Sequence, residues 1–217
     1  MNYKVNEIFY TLQGEGAHSG IPAVFVRFSG CNLRCPWCDT DFSDFTEMSA
    51  DEIVREALSL YDIPNERRKM LVLTGGEPSL QVDTPLIDAL HAAGFYICIE
   101  TNGTRPLPDG IDWITCSPKE LSLQHSAISH QTPLALQKVD EVKVVFTGTY
   151  DPEIWREQLE AEHWMLQPLR YTGEWLLNNC DAFEDDRNDN LDDTVRYILS
   201  HPFWRLSVQL HKIVGLR

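Results

Sequence analysis

The strongest constraint on the fold is a series of strand-length runs, most of them apolar on consecutive rather than alternating residues. Ala23–Phe28 (AVFVRF), Met70–Thr74 (MLVLT), Tyr96–Thr101 (YICIET), Trp113–Cys116 (WITC), Val142–Phe146 (VKVVF), Trp164–Gln167 (WMLQ) and Leu206–Leu210 (LSVQL) form the series. A strand that is apolar on both faces needs cover on both faces, which is the mark of a parallel sheet. Helical patterns lie between several of the runs. Ser49-Ala-Asp-Glu52 has capping-box spacing and opens a helix toward Tyr61, with Ile53, Ala57, Leu58 and Tyr61 on one face. Pro85–Ala93 reads as a helix that Gly94 closes, and Pro152–Glu162 and Leu191–Leu199 read as two more. This alternation predicts an α/β fold. A closed eight-fold barrel takes about 250 residues. With 217 residues and six or seven strands, the chain suits a partial, open barrel with reduced helices over a closed one, in one domain over 1–217. A doubly wound sheet is the competing architecture.

Composition narrows the class of function. The formal net charge of −15 opposes the basic footprint of a nucleic-acid binder and any attraction to an anionic membrane. No apolar run reaches the length of about eighteen residues that a spanning helix needs. The N-terminal MNYKVNEIFYTLQGEG lacks the apolar core of a signal peptide, so a cytoplasmic location is expected. Six cysteines in 217 residues are too sparse for a disulfide scaffold. Cys98 and Cys116 sit in apolar runs and read as small buried hydrophobes, and Cys180 also stands alone. The acidic Asp181–Asp193 reads as a solvated loop that leads into a helix.

The other three cysteines are crowded. Cys31, Cys35 and Cys38 have the spacing Cys-x3-Cys-x2-Cys within SGCNLRCPWCDTDF. Thiolates hold soft metals and iron–sulfur clusters. A zinc site needs a fourth ligand from elsewhere, whereas three thiolates on a 4Fe–4S cluster leave one iron open. An open position is what a reactive metal site requires. A second feature is Thr74-Gly-Gly-Glu-Pro78, directly after the run MLVLT, where glycines let a ligand approach the backbone.

This cysteine loop, with Trp37 before the last cysteine, resembles the radical S-adenosylmethionine superfamily. The resemblance implies a partial (β/α)6 barrel. It also implies a 4Fe–4S cluster on Cys31, Cys35 and Cys38 whose fourth ligand is S-adenosylmethionine. Gly75, Gly76 and Glu77 resemble the superfamily's contact to the methionine ammonium. Ser117, Pro118 and Lys119 after WITC, and Gln167 and Pro168 after WML, resemble contacts to the ribose and adenine.

The residues before and around the cysteines resemble one family more closely. Thr11-Leu-Gln-Gly-Glu-Gly16, Gly20-Ile-Pro22, Phe25-Val-Arg27, Gly30-Cys31 and Cys38-Asp-Thr40 occur in the order seen in the 7-carboxy-7-deazaguanine synthase family, and the likeness continues to the closing LHKIVGLR. The resemblance implies a radical ring contraction of 6-carboxy-5,6,7,8-tetrahydropterin with loss of ammonia, on the way to queuosine and related 7-deazapurines. S-adenosylmethionine is regenerated, and magnesium assists. Leu12, Gln13, Gly14 and Glu15 would bind the pterin, whose donor and acceptor edge suits amide groups. Arg27, a charge inside an apolar strand, offers a planar fork for the substrate carboxylate, though an ion pair or edge position would also explain it. Thr40 would ligate magnesium, for which Asp39 and Asp41 are alternatives. Thr74, His211 and the carboxylate of Arg217 would also touch substrate. The family further implies a homodimer and an electron-donor protein such as a flavodoxin or ferredoxin. Two other readings stay open: an activase that installs a glycyl radical on a partner protein, and a non-enzymatic metal or iron–sulfur module.

Overall fold

The computed structural model describes residues 2–35, 38, 40–41, 43–61, 69–122, 129–131, 133–169 and 190–216. Strand β1 is Asn2–Leu12, β2 is Pro22–Phe28 and β3 is Thr46–Ser49. Helix α1 (Ala50–Leu60) leads to β4 (Lys69–Gly75), and helix α2 (Thr84–Ala92) to β5 (Phe95–Thr101) and β6 (Trp113–Cys116). Strands β7 (Glu120–Ser122) and β8 (Ser129–Gln131) form a small separate ladder. Strands β9 (Glu141–Phe146) and β10 (His163–Pro168) follow, then helix α3 (Leu191–Ser200), the two-residue β11 (Arg205–Leu206) and helix α4 (Leu210–Val214).

Nine strands form one sheet in the order β11-β10-β9-β6-β5-β4-β2-β1-β3. From β2 to β11 every neighbouring pair is parallel, whereas β1 runs antiparallel to both β2 and β3. The parallel strands follow one another across the sheet without reversing direction. That order is the open barrel's; a doubly wound sheet reverses at a switch point.

One face of the sheet packs under the helices. Val24, Val26, Leu71, Leu73, Ile97 and Ile99 meet Ile53 and Ala57 of α1 and Leu86, Ile87 and Leu90 of α2. Farther along, Val142, Val144 and Leu166 pack with Trp155 and Trp204. Helix α1 begins on the expected capping box: Glu52 N–H donates to Ser49 Oγ, and Ser49 N–H donates to the Glu52 carboxylate at 2.8 Å. Such a cap contributes about 1 kcal/mol. Helix α2 is capped by Asp83, and Gly94 ends its turn at φ +82°. Cys98 and Cys116 are buried as expected, and burial pushes the Cys116 thiol up to about 12. Cys180 and most of the acidic stretch lie outside the described residues.

Two expected elements differ. The helix over Pro152–Glu162 is only a 3₁₀ turn, Pro152–Trp155. A β-bridge between Lys138 and Glu160, with Val139 N–H donating to Glu160 O and Glu160 N–H to Gln137 O, draws this segment into extended chain. Trp155 and Leu159 stay buried all the same. The strand expected over Leu206–Leu210 stops at Leu206, because Leu210 N–H donates to Gly14 O at 2.8 Å and turns the chain into α4. Strand β1 went unread: it alternates buried Tyr3 and Val5 with exposed neighbours and has no continuous apolar run.

Candidate active site

Side chains in register on parallel strands share a face. The pairs Arg27–Thr74, Val72–Cys98, Glu100–Thr115, Thr115–Glu141, Lys143–Met165 and Val145–Gln167 therefore trace the face opposite the helices. The start of this face is apolar, with Ala23, Met70, Val72 and Cys98 packed together. Toward the carboxyl ends of β2, β4, β5, β6 and β10 it turns polar and carries Arg27, Thr74, Glu100, Thr115 and Gln167, and β9, whose first residue pairs with Thr115, adds Glu141 and Lys143 beside them. Ligands of open α/β sheets bind at those ends.

The cysteine loop leaves the end of β2, and the glycine motif at the end of β4 clasps it. Gly76 N–H donates to Phe28 O at 3.0 Å and Glu77 N–H to Gly30 O at 2.8 Å. A Cβ on Gly76 would lie 2.1 Å from Gly30 O, and one on Gly75 (φ +135°) 2.1 Å from Phe28 O. Both glycines are thus required by this approach of backbone to backbone. Glu77 is buried and faces the tip of β5: its carboxylate accepts from Ser79 N–H at 3.0 Å, Thr101 Oγ1 at 2.7 Å and Asn102 N–H at 2.7 Å. The Asn102 amide donates to Asn32 beside Cys31, and Asn32 donates to Thr104. The tips of β4 and β5 and the cysteine loop are joined into one rim.

Cys31 and Cys35 are half-buried and Cys38 is exposed; all three are free thiols. Leu33 N–H donates to Cys31 Sγ at 3.4 Å, and Cys38 N–H to Cys35 O at 3.1 Å. Burial pushes the Cys31 thiol up, and the charge of Cys38 adds to it. Burial likewise raises Cys35, which also feels Cys31 and Cys38, while the Lys119 ammonium opposes the shift. Among the described residues no three His, Cys, Asp or Glu side chains converge closely enough to bind a metal ion. As a donor set, three thiols within reach of one another's charge and of a lysine suit an iron–sulfur cluster. Thr40 is half-buried, and its carbonyl faces the Cys38 thiol at 3.9 Å.

The loop between β1 and β2 crosses the polar face. Gln13 N–H donates to Ile21 O and Gly20 N–H to Gln13 O, closing the loop, while Leu12 ends β1 opposite Pro22. Gln13 is buried; its amide donates to Glu100 at 3.1 Å and accepts from Glu15 N–H at 3.2 Å. Gly16 N–H donates to Ser207 Oγ and Ala17 N–H to Glu141 at 2.6 Å. His211 of α4 lies against Gly14, where a Cβ would stand 2.2 Å from its Nδ1. The fold thus brings the TLQGEG loop and His211 together across nearly the whole sequence. Arg217 and Asp39 lie outside the described residues.

Lys143 is buried beneath this loop, with Nζ 2.6 Å from both Glu15 and Glu100. Burial alone would raise the Glu15 carboxyl; the Lys143 ammonium, the Gln209 amide and His211 instead hold it down to about 2. Burial raises the Glu141 carboxyl. Gln167 donates to Glu15 at 3.4 Å, and Pro168 is buried beside it. Ser117 Oγ donates to Lys143 O at 2.8 Å; Pro118 is buried and Lys119 half-buried at the end of β6. Arg27 donates from Nε to Glu7 at 2.8 Å and lies over the Phe9 ring, a pairing that uses one of five guanidinium donors. Glu100, Lys143 and Glu141 were not singled out from sequence. The signal was there: YICIET and VKVVF each carry a charge inside an apolar strand, as the run around Arg27 does.

Comparison with known proteins agrees with this arrangement. The Radical SAM superfamily profile matches residues 25–122. A 7-carboxy-7-deazaguanine synthase of Bacteroides thetaiotaomicron is 48% identical over 217 residues, covering 100% of both chains. A synthase of the same name from Nitratidesulfovibrio vulgaris is 40% identical over 237 residues, again covering 100% of both. The crystal structure of QueE from Escherichia coli matches with a TM-score of 0.73 and 27% identity, over 97% of this chain and 95% of that one. Identity at this level along the whole length makes the chain a member of the 7-carboxy-7-deazaguanine synthase family, within the radical S-adenosylmethionine superfamily.

Proposed function

We propose that the protein converts 6-carboxy-5,6,7,8-tetrahydropterin to 7-carboxy-7-deazaguanine with loss of ammonia, in the pathway to queuosine and other 7-deazapurines. The observation that carries this reading is the meeting of the TLQGEG loop and His211 over a polar floor that shares its face of the sheet with Arg27. A small ligand with one acidic end and one guanidine-like edge suits such a face. The full-length relatives bear the synthase name. They support this reading over the activase and the binding module.

Cys31, Cys35 and Cys38 would hold the 4Fe–4S cluster, and S-adenosylmethionine its open iron. With that cofactor bound, the cluster would supply the one electron that cleaves its sulfonium to methionine and a 5′-deoxyadenosyl radical, the agent that removes a substrate hydrogen. Gly75 and Gly76 close the rim onto the cysteine loop, where the methionine end of the cofactor would lie. Glu77 fixes the shape of that rim through its bonds to Thr101 and Asn102. Ser117, Pro118, Lys119, Gln167 and Pro168 stand at the ends of their strands for the nucleoside. Arg27, with Thr74 in register beside it, takes the substrate carboxylate. Gln13, Glu15 and His211 hold the pterin edge, with Leu12, Gly14 and Arg217. Thr40 would hold magnesium. The enzyme works as a cytoplasmic homodimer reduced by a flavodoxin or ferredoxin. Among the described residues no helix is long and apolar enough to cross a membrane.

The test is an anaerobic assay of the reconstituted enzyme with dithionite, S-adenosylmethionine, magnesium and the pterin. Mass spectrometry should find 7-carboxy-7-deazaguanine, and none with Cys35→Ala. Cleavage of S-adenosylmethionine without this product, at full cluster loading, would keep the superfamily and reject the substrate.

A further inference from the structure

Nothing in the proposed chemistry uses Lys143, yet this lysine is the hub of the polar floor. Its side chain is only 5% exposed, and Nζ lies 2.6 Å from a carboxylate oxygen of Glu15 and 2.6 Å from one of Glu100. Each carboxylate uses its second oxygen elsewhere. Glu100 Oε1 accepts from the Gln13 amide, and Glu15 Oε1 accepts from Gln209 at 2.8 Å and from Gln167. Gln13 and Glu15 belong to the loop between β1 and β2, and Gln209 to the segment entering α4. Two separate pieces of chain, neither part of the sheet, therefore meet β5, β9 and β10 around one ammonium, alongside the bonds of Ala17 N–H to Glu141 and of Ser207 N–H to Leu166 O.

The charges make this tie directional. Glu100 and Glu141 project from the sheet, and Glu15 hangs from the loop above them. Three carboxyl groups crowd one cation. With the ammonium present, Glu15 is drawn onto the sheet; without it, the like charge of Glu100 pushes Glu15 away in a setting of low dielectric. The segment 209–211 would loosen with the loop, because Gln209 binds Glu15 and Leu210 N–H donates to Gly14 O, whereas Ser207 stays bonded through its N–H to Leu166 O of β10.

We propose that Lys143 is a positioning residue: it locks the loop between β1 and β2 and the segment entering α4 onto the sheet, and so sets Gln13, Glu15 and His211 for the ligand. The locking rests on geometry alone; the consequence for the ligand rests on the proposed function. Lys143 lies on β9 beneath the loop, so its effect on turnover passes through the groups that it holds.

The experiment compares wild type, Lys143→Met and Lys143→Arg by amide hydrogen exchange and by steady-state kinetics on the reconstituted enzyme. In Lys143→Met, exchange at residues 13–16 and 209–213 should quicken roughly tenfold or more, with β4 and β5 unchanged. The KM for the pterin should rise roughly tenfold while binding of S-adenosylmethionine and iron content hold. Lys143→Arg, which keeps the charge, should recover most of both. Where Lys143→Met does not fold, Lys143→Gln, which also removes the charge, is read in the same two ways. Unchanged exchange would overturn the lock. Faster exchange with an unchanged KM would overturn the positioning role, as would equal loss of S-adenosylmethionine binding. Faster exchange in a protein whose wild type makes no product would uphold the lock and reject the proposed substrate.

Discussion

Replacing Gly76 with alanine tests whether the glycine rim holds the cysteine loop by close backbone contact. The new Cβ would lie 2.1 Å from Gly30 O, 2.5 Å from Gly30 C and 3.1 Å from Cys31 Cβ. Two of these atoms are backbone, so no rotamer change relieves them. A carbon tolerates a carbonyl oxygen at about 3.3 Å, so Gly30 must retreat by about 1.2 Å. The bond from Glu77 N–H to Gly30 O, now 2.8 Å, is then broken. Overpacking costs about 1–3 kcal/mol and the lost bond about 1 kcal/mol, which together are survivable against a typical stability of about 5–15 kcal/mol. For a chain of this size the melting temperature should fall by roughly 10 °C. Cys31 moves with Gly30, so iron retained after anaerobic reconstitution should drop to about half or less. Gly20→Ala is the control: its Cβ meets nothing within 4 Å, and it carries only the strain of φ +87°. It should melt earlier but keep its iron. A Gly76→Ala protein with wild-type melting and full iron would refute the reasoning.

Glu77→Gln keeps one acceptor oxygen but puts an NH2 group in place of the other, so at least one of the three hydrogen bonds to the carboxylate is lost. It should cost about 1–3 kcal/mol, seen as a lower melting temperature, and an unchanged melt would deny the carboxylate its role in the rim. Arg27→Lys keeps the charge but loses the fork, so KM for the pterin should rise roughly tenfold with iron content unchanged. A normal KM would leave Arg27 only its pair with Glu7. The Glu15 carboxyl is held at about 2, below its ordinary 4.5. A depressed carboxyl adds stability that is fully present above about pH 4.5 and is lost as pH falls toward about 2. Glu15→Gln should therefore flatten the fall in stability over that acid range, and a parallel curve in acid denaturation would exclude the ion pair as its cause.

Continuous apolar runs were enough to locate six parallel strands, because a strand covered on both faces is apolar on most consecutive residues. The capping box at Ser49 and Glu52 is local chemistry and was legible for the same reason. The three thiols, the glycine pair and the TLQGEG loop were legible too, since each is a short motif whose residue types fit few chemistries. Where a residue's partners are distant, the sequence was silent. It marked Glu77 as a ligand contact, and only the fold turned that carboxylate inward to the tip of β5. Trp155 and Leu159 have helical spacing, but pairing of Glu160 with Lys138 outweighed that preference. The run LSVQL has a strand's composition, yet contacts to Gly14 and Glu15 bent it into α4. Lys143 looked like one polar residue in VKVVF until β5, β9 and the loop between β1 and β2 met around it. Periodicity and motifs are written along the chain and determine the barrel and its cysteine loop. Charge pairing depends on distances through space, so only the tertiary structure decided which carboxylates share an ammonium and what that holds in place.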